Sequence, residues 1–394
     1  IKADKLTGEE QSMKIPFHKA LIGEGEVNAA ADVIRSGWLT MGEKTFEFEK
    51  NFSAYTGSPD SIAVNSCTAA LHLALKAAGI GPGDEVIIPA MTFIATWEVI
   101  RYFDAVPVLC DIEKESFLIS AAEIEKKITP RTKAIIPVHY GGEACDMDAI
   151  TDLAESYKLV IIEDAAHALP TLYKGKMIGT IGDITCFSFY ATKTLTTGEG
   201  GMITTADKGF ADRIRRLRLH GITKDAWNRY SDKGSWEYDV SEPGYKYNIT
   251  DIASAIGIEQ LKRCDSMNLM RRKIADKYNN AFSKTGVLDL WGVRDRGECA
   301  WHLYPVRLKT GALKISRNGF IDEMKAAGIG TSVHYIPMYR FSAFKNTGYL
   351  PADFPGCEDM FAREVSLPIW PGMSDAESDY IIETVIKILE RNKR

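Results

Sequence analysis

Lys193 stands between the apolar run Phe187-Ser188-Phe189-Tyr190 and a loop rich in threonine and glycine that continues to Gly201. An amine attacks a carbonyl only when unprotonated, and an exposed lysine is almost wholly charged near neutral pH. A lysine meant to form a Schiff base therefore needs apolar surroundings that lower its pKa. Taken alone, Lys193 reads as an ordinary loop lysine. Upstream, Leu159-Val160-Ile161-Ile162 reads as a buried strand, and Glu163 and Asp164 arrive as the apolar run ends. Carboxylates at such strand ends line the crevices of α/β sheets. Asp164 suits pairing with a protonated ring nitrogen such as that of pyridoxal phosphate, or the plainer task of capping the next helix.

Earlier still, Ile62-Ala63-Val64 passes through Asn65, Ser66, Cys67 and Thr68 into a helical period. Small residues at a helix N-terminus let backbone N–H groups approach a phosphate, and the helix dipole favours the anion; an N-cap alone also explains the Ser and Thr. Phe93 follows another strand-to-helix junction, where an aromatic could stack on a pyridine ring or fill the core.

The elements that must position these residues alternate. Apolar strands are expected at 85–89, 106–111, 133–139 and 159–163, with amphipathic helices at 95–103, 121–128 and 147–157. That order predicts a mostly parallel sheet covered on both faces. Strand signals at 186–189 and 201–204 lie too close for a helical crossover, so an antiparallel step is expected there. Residues 223–247 read as a long loop whose aromatics, Trp227, Tyr230, Trp236, Tyr238, Tyr245 and Tyr247, suit a subunit interface, the cover of a partner's site or a nucleotide base. A helical period resumes at 249–264, and His139 is expected at a strand end facing the crevice.

Together these segments resemble the DegT-type nucleotide-sugar aminotransferases, within the fold-type I pyridoxal-phosphate enzymes of the aspartate aminotransferase superfamily. The resemblance covers nearly the whole chain. It runs from Ile15-Pro16-Phe17 and Ser36-Gly37-Trp38-Leu39-Thr40 through Gly81-Pro82-Gly83-Asp84-Glu85-Val86 to Tyr247-Asn248-Ile249-Thr250-Asp251 and His334-Tyr335. It implies an α/β fold in two parts: a large cofactor-binding domain at 14–255, with a mostly parallel sheet of the seven-stranded type between helices, and a smaller C-terminal α+β domain at 256–394. It implies pyridoxal 5'-phosphate bound covalently by Lys193, with Asp164 on the pyridine nitrogen and Phe93 stacked on the ring. The phosphate would sit on Cys67, Thr68 and Ser188. Asn248 matches a residue that reaches the phosphate of the neighbouring subunit, so a homodimer with shared sites is expected. Trp38, Tyr190 and His334, with Tyr335, fall at substrate-contact positions.

The chain departs from the common family pattern at three places. His167 stands where a glutamine that contacts the ring hydroxyl is usual, Cys67 replaces a glycine or alanine, and Tyr190 replaces a frequent histidine. A related dehydratase branch carries histidine at the lysine position, and Lys193 argues against it. The resemblance implies transfer of an amino group from an amino acid, glutamate as in relatives, to a nucleotide-linked keto-sugar, for polysaccharide or amino-sugar biosynthesis. The 227–251 segment resembles relatives that act on 4-keto sugars. Lys193 would also move the proton between the two half-reactions. Which nucleotide and which sugar does not follow from the residues. Two rivals are a sugar dehydratase on the same scaffold and a non-catalytic regulatory or binding homologue. A binding module would not need Lys193 and Asp164 together.

Composition fits an enzyme of this size. The 394 residues are 45% hydrophobic and 26% charged, with a formal net charge of −5, which allows a large core and two domains. The short basic run at 213–218 has helical spacing and reads as a solvated helix face, so nucleic acid is not an expected partner. Seven scattered cysteines suggest neither a disulfide framework nor structural zinc. No His, Asp and Glu spacing suggests a metal site. No signal peptide or membrane-length apolar run is evident, so a cytoplasmic protein is expected. The polar residues before Met13 read as an added leader or a lead-in. Gly23-Glu24-Gly25 and Gly141-Gly142 lack the strand–glycine–helix context of a dinucleotide fingerprint.

Overall fold

The computed structural model describes residues 13–222, 238–292, 297–345 and 347–394. The residues before Met13 and the loop aromatics Trp227, Tyr230 and Trp236 lie outside the described residues.

Two helices, α1 (Glu24–Ser36) and α2 (Glu43–Thr56), precede the sheet. The strand–helix alternation follows: β1 (Asp60–Val64), α3 (Cys67–Ala77), β2 (Glu85–Pro89), α4 (Ala95–Arg101), β3 (Val106–Cys110), α5 (Ala121–Glu125), β4 (Thr132–Ile135), α6 (Met147–Tyr157) and β5 (Val160–Asp164). A short hairpin, β6 (Leu172–Tyr173) with β7 (Lys176–Met177), leads to β8 (Ile184–Ser188), β9 (Gly201–Thr205) and α7 (Lys208–Leu217).

The main sheet has seven strands in the order β1-β9-β8-β5-β4-β2-β3. Six strands run parallel, and β9 runs antiparallel to both its neighbours. The antiparallel step is where the sequence places it, because the residues between Ser188 and Gly201 are too few for a crossover helix. The strands are apolar along their whole length rather than alternating: Ile62, Ala63 and Val64 in β1 and Val86, Ile87 and Ile88 in β2 are all completely buried. Such runs belong to parallel strands covered on both faces. The strand expected at 133–139 stops at Ile135, since Pro137 has no N–H for the ladder, and pairing resumes only as an isolated bridge between Val138 and Asp164.

Beyond the sheet, α8 (Asp251–Lys262) and α9 (Cys264–Phe282) lead to a second sheet of β10 (Leu288–Leu290), β11 (Tyr304–Leu308) and β12 (Glu364–Leu367), antiparallel throughout. Helices α10 (Arg317–Ala326) and α11 (Pro355–Arg363) precede β12, and α12 (Asp375–Arg391) follows it. The N-terminal segment returns to this region: Ile15 bridges Ile329. No helix among the described residues is long and apolar enough to cross a membrane.

Candidate active site

Strands β1, β2, β5 and β8 end on the same edge of the sheet, and their carboxyl ends deliver Ser66, Phe93, Asp164 and Ser188 to one cavity of about 520 Å³. Lys193 enters from the loop between β8 and β9, and His334 and Tyr335 arrive from the C-terminal region. Of the residues expected at a site, the cavity gathers Cys67, Thr68, Phe93, Asp164, His167, Ser188, Tyr190, Lys193 and His334. Trp38 and Asn248 are not among its lining. Trp38 Nε1 donates to the Met41 carbonyl at 3.3 Å, in the turn before α2. Asn248 Nδ2 donates to the Ile249 carbonyl at 3.3 Å, and its Oδ1 is buried with no partner among the described residues.

Burial shifts Lys193 towards the neutral amine. Burial lowers the Lys193 pKa to about 8 from its usual 10.5, opposed by Cys67 and Asp164. The Cys67 thiol is itself pushed well up by burial and stays uncharged, so Asp164 is the real opposing charge. Asp164 is buried, and burial raises its pKa. Its oxygens accept from Thr96 Oγ1 at 2.9 Å and from the Ala166 N–H at 3.1 Å, which hold the carboxylate in place. Asp164 also lies at the end of β5 and not at the start of a helix, so the capping alternative does not apply.

Phosphate-sized anions have a ready seat at α3. The Ser66 hydroxyl accepts from the Ala69 N–H at 3.0 Å, and the Ser66 carbonyl takes the Ala70 N–H at 3.0 Å. The N–H groups of Cys67 and Thr68 are left without a partner among the described residues, at the positive end of an eleven-residue helix. Gly201 of β9 passes so close that a Cβ there would lie 2.7 Å from the Ser66 carbonyl. The Cys67 sulfur turns away from this seat, towards the Cys186 carbonyl at 3.6 Å.

Phe93 is 58% exposed at the cavity mouth, which sets aside the reading of it as a core phenylalanine. Tyr190 is also exposed there. His167 is buried and held uncharged, its pKa well below the usual value through burial, then Lys193 and His334. The Gly141 N–H donates to its Nδ1 at 3.2 Å, so the proton of the neutral ring is on Nε2, which meets the Tyr335 hydroxyl at 3.0 Å. The Tyr335 oxygen then accepts, and its own proton is free for a cavity ligand.

His139 is wholly buried under the site rather than facing the crevice. The Cys145 N–H donates to its Nδ1 at 3.1 Å, leaving Nε2–H to donate to Glu163 Oε2 at 2.8 Å. Glu163 is completed by the Gly182 N–H and the Thr185 hydroxyl. The pair fastens β5 from behind, beside Asp164. Sequence reasoning missed Thr96, His18 and His302. The last two line the cavity as imidazoles that burial keeps neutral, His18 with its pKa lowered to about 4. Thr92 and Thr96, one helical turn apart and 3.1 Å apart through their hydroxyls, were the available signal for the Asp164 support.

These groups fit the cofactor that the sequence resemblance implies: an amine of lowered pKa, a buried carboxylate within the same cavity, an anion seat at a helix N-terminus and an exposed ring at the mouth.

Known proteins agree with that fit. The model of the DegT/DnrJ/EryC1/StrS aminotransferase family matches residues 20–386. The spore coat polysaccharide biosynthesis protein SpsC of Bacillus subtilis is 48% identical over 378 residues, 95% of this chain and 97% of its own. Among solved structures, Spr1654 of Streptococcus pneumoniae, named as a sugar aminotransferase and seen in its PLP-form, matches with TM-score 0.89 and 38% identity over 96% of this chain and 99% of its own. PseC of Helicobacter pylori, an aminotransferase involved in pseudoaminic acid biosynthesis, matches with TM-score 0.88 and 26% identity over 96% of this chain and 100% of its own. The chain belongs to the DegT/DnrJ/EryC1/StrS aminotransferase family and is a pyridoxal-phosphate-dependent enzyme.

Proposed function

We propose that this enzyme moves an amino group from an amino acid, glutamate, to a nucleotide-linked keto-sugar carrying its carbonyl at C4, in the biosynthesis of a polysaccharide or amino sugar. The observation that carries the reading is the convergence of Lys193 and Asp164 on one cavity, with the open N-terminus of α3 beside them. The likeness to SpsC and to Spr1654 supports the sugar and the polysaccharide. The division into units at 14–255 and 256–394 belongs to the same reading, with its seam inside α8, as does a homodimer in which Asn248 serves the partner's site.

Bound in this cavity, pyridoxal phosphate supplies an electrophilic carbon for amine exchange and a ring that takes up electron density. The chain's own residues do the rest. Lys193, near half-neutral at pH 8, would supply the amine that holds the cofactor and, when free of it, the base that moves the proton at the donor's α-carbon. Asp164, fixed by Thr96 and Ala166, holds a proton on the ring nitrogen. The N–H groups of Cys67 and Thr68, with Ser188, bind the phosphate. Phe93, exposed at the mouth, would cover the ring face. Tyr335, accepting from His167, would have its own proton free for the ring hydroxyl that a glutamine serves in relatives.

The test is the absorption spectrum of the purified protein with pyridoxal phosphate, before and after glutamate. A visible band from the lysine-bound cofactor that glutamate bleaches, and that Lys193→Ala never forms, is the expected result. A band indifferent to every amino donor would sink the transfer reading in favour of a dehydratase, and no band at all would favour a binding homologue.

A further inference from the structure

His334 lines the cavity with its ring stacked on Phe17, centroids 5.5 Å apart. Its Nε2 has no partner among the described residues, while its Nδ1 is 2.9 Å from the Ser366 hydroxyl. Ser366 and Glu364 lie on β12, wholly buried, and the Ser366 hydroxyl lies 2.6 Å from Glu364 Oε1. The other carboxyl oxygen accepts from the backbone N–H of His334 at 3.0 Å. A chain of hydrogen bonds therefore runs from a buried carboxyl group through one hydroxyl to an imidazole at the cavity wall. Nothing in the transfer reaction requires Glu364 or Ser366.

The direction of that chain depends on Glu364. When Glu364 is ionised it can only accept, so Ser366 donates to it and must accept from His334. The histidine proton then sits on Nδ1, and the cavity meets a bare Nε2 lone pair. When Glu364 is protonated it can donate to Ser366, Ser366 donates to Nδ1, and the proton moves to Nε2.

We propose that Glu364 and Ser366 are positioning residues that fix which nitrogen of His334 carries its proton, and so decide whether this wall of the cavity offers a ligand an acceptor or a donor. A carboxylate or keto oxygen is held only in the second state. The charged and polar groups facing Glu364 are few. Arg317 of α10 donates to the Glu364 backbone carbonyl at 3.3 Å; Tyr140, whose hydroxyl donates to the His334 carbonyl at 2.8 Å and also meets the Ser366 hydroxyl, and Tyr335 stand near it uncharged. Burial outweighs Ser366, the His334 N–H and Arg317, and lifts the Glu364 pKa to about 8. His334 stays neutral throughout, since burial lowers its pKa to about 3. The two states therefore exchange near pH 8 without any change of charge on the residue that touches the ligand.

The relay rests on the transfer reading only for what the ligand is. Its test reads the ring directly. Imidazole nitrogen NMR of the full chain, with the His334 signals assigned by their loss in His334→Gln, distinguishes the two tautomers. The expected result is the Nδ1–H form above about pH 9 and the Nε2–H form below about pH 7. Glu364→Gln, whose amide can donate, should hold Nε2–H at every pH. Ser366→Ala should remove the pH dependence, and Ser366→Thr should restore it. A His334 tautomer that is the same in all four proteins at every pH overturns the proposal. Should glutamate fail to bleach the cofactor band while the tautomer still follows Glu364, the transfer reading falls and the relay stands.

Discussion

Lys193 and Asp164 are opposed in a way that gives their titration a sign. Burial removes water from the Lys193 ammonium and lowers its pKa to about 8, while the nearby carboxylate pulls the value back up. The rate at which the cofactor-free protein captures pyridoxal phosphate should therefore rise with pH and level off above a midpoint near 8. A midpoint near 10.5 would show that the lysine is solvated and the burial argument wrong. Asp164→Asn removes the attraction, so the midpoint should fall below the wild-type value; stopped-flow absorbance across the pH range reads both. His167 makes a different prediction. Its Nε2–H donates to Tyr335, so Tyr335→Phe leaves a buried donor unpaired and should cost roughly 1–3 kcal/mol in denaturant unfolding. Unchanged stability would mean that the Tyr335 hydroxyl is not the partner the geometry gives.

At the scale of elements, the anion seat depends on how closely β9 passes the start of α3. A methyl group on residue 201 would meet the Ser66 carbonyl at 2.7 Å and the Cys67 nitrogen at 2.9 Å, both backbone atoms that cannot swing aside. Gly201→Ala should thus push the N-terminus of α3 out of register and weaken cofactor binding by about tenfold to a hundredfold, the worth of one charge-assisted hydrogen bond. Titration of cofactor fluorescence measures it, and unchanged affinity would remove the α3 seat from the account. Helix α2 has a second unusual support. Gly42 provides no capping side chain, and Asp251 of α8 instead accepts from the N–H groups of Gly42, Lys44 and Thr45 and from the Thr45 hydroxyl. Asp251→Ala strands these donors and should cost roughly 2–3 kcal/mol in unfolding free energy. This clamp shows why some of the structure could not be read from the chain: its two halves are about two hundred residues apart, and neither segment carries a local signal. The strand at 85–89 and the helix at 147–157 were legible to the residue because period, length and punctuation are all local there. The end of β4 was not, because a proline interrupts an apolar run that otherwise continues to Val138.

Across the whole molecule, what the sequence offered of the site was the ends of strands. Lys193, Asp164 and Cys67 each announce themselves where an apolar run gives way to small or charged residues. His302, Ser366 and Glu364 do not, because their meaning comes only from neighbours the fold brings from distant segments. Asn248 is the limiting case. It lies in the segment leading from β1's neighbour Tyr247 into α8, outside the cavity of its own chain, and its proposed role belongs to a second copy. A site shared in this way has a consequence that a self-contained site lacks. Lys193→Ala protein keeps an intact Asn248, and Asn248→Ala protein keeps an intact lysine. If the two are mixed under conditions that exchange subunits, half of the dimers are mixed, and each of these has one site in which both residues are native. Activity should therefore return from near zero to about a quarter of the wild-type value. Recovery should follow subunit exchange rather than protein concentration. Failure to recover, with exchange verified by mass spectrometry of tagged chains, would show that each chain completes its own site and that Asn248 serves only to lead the backbone into α8.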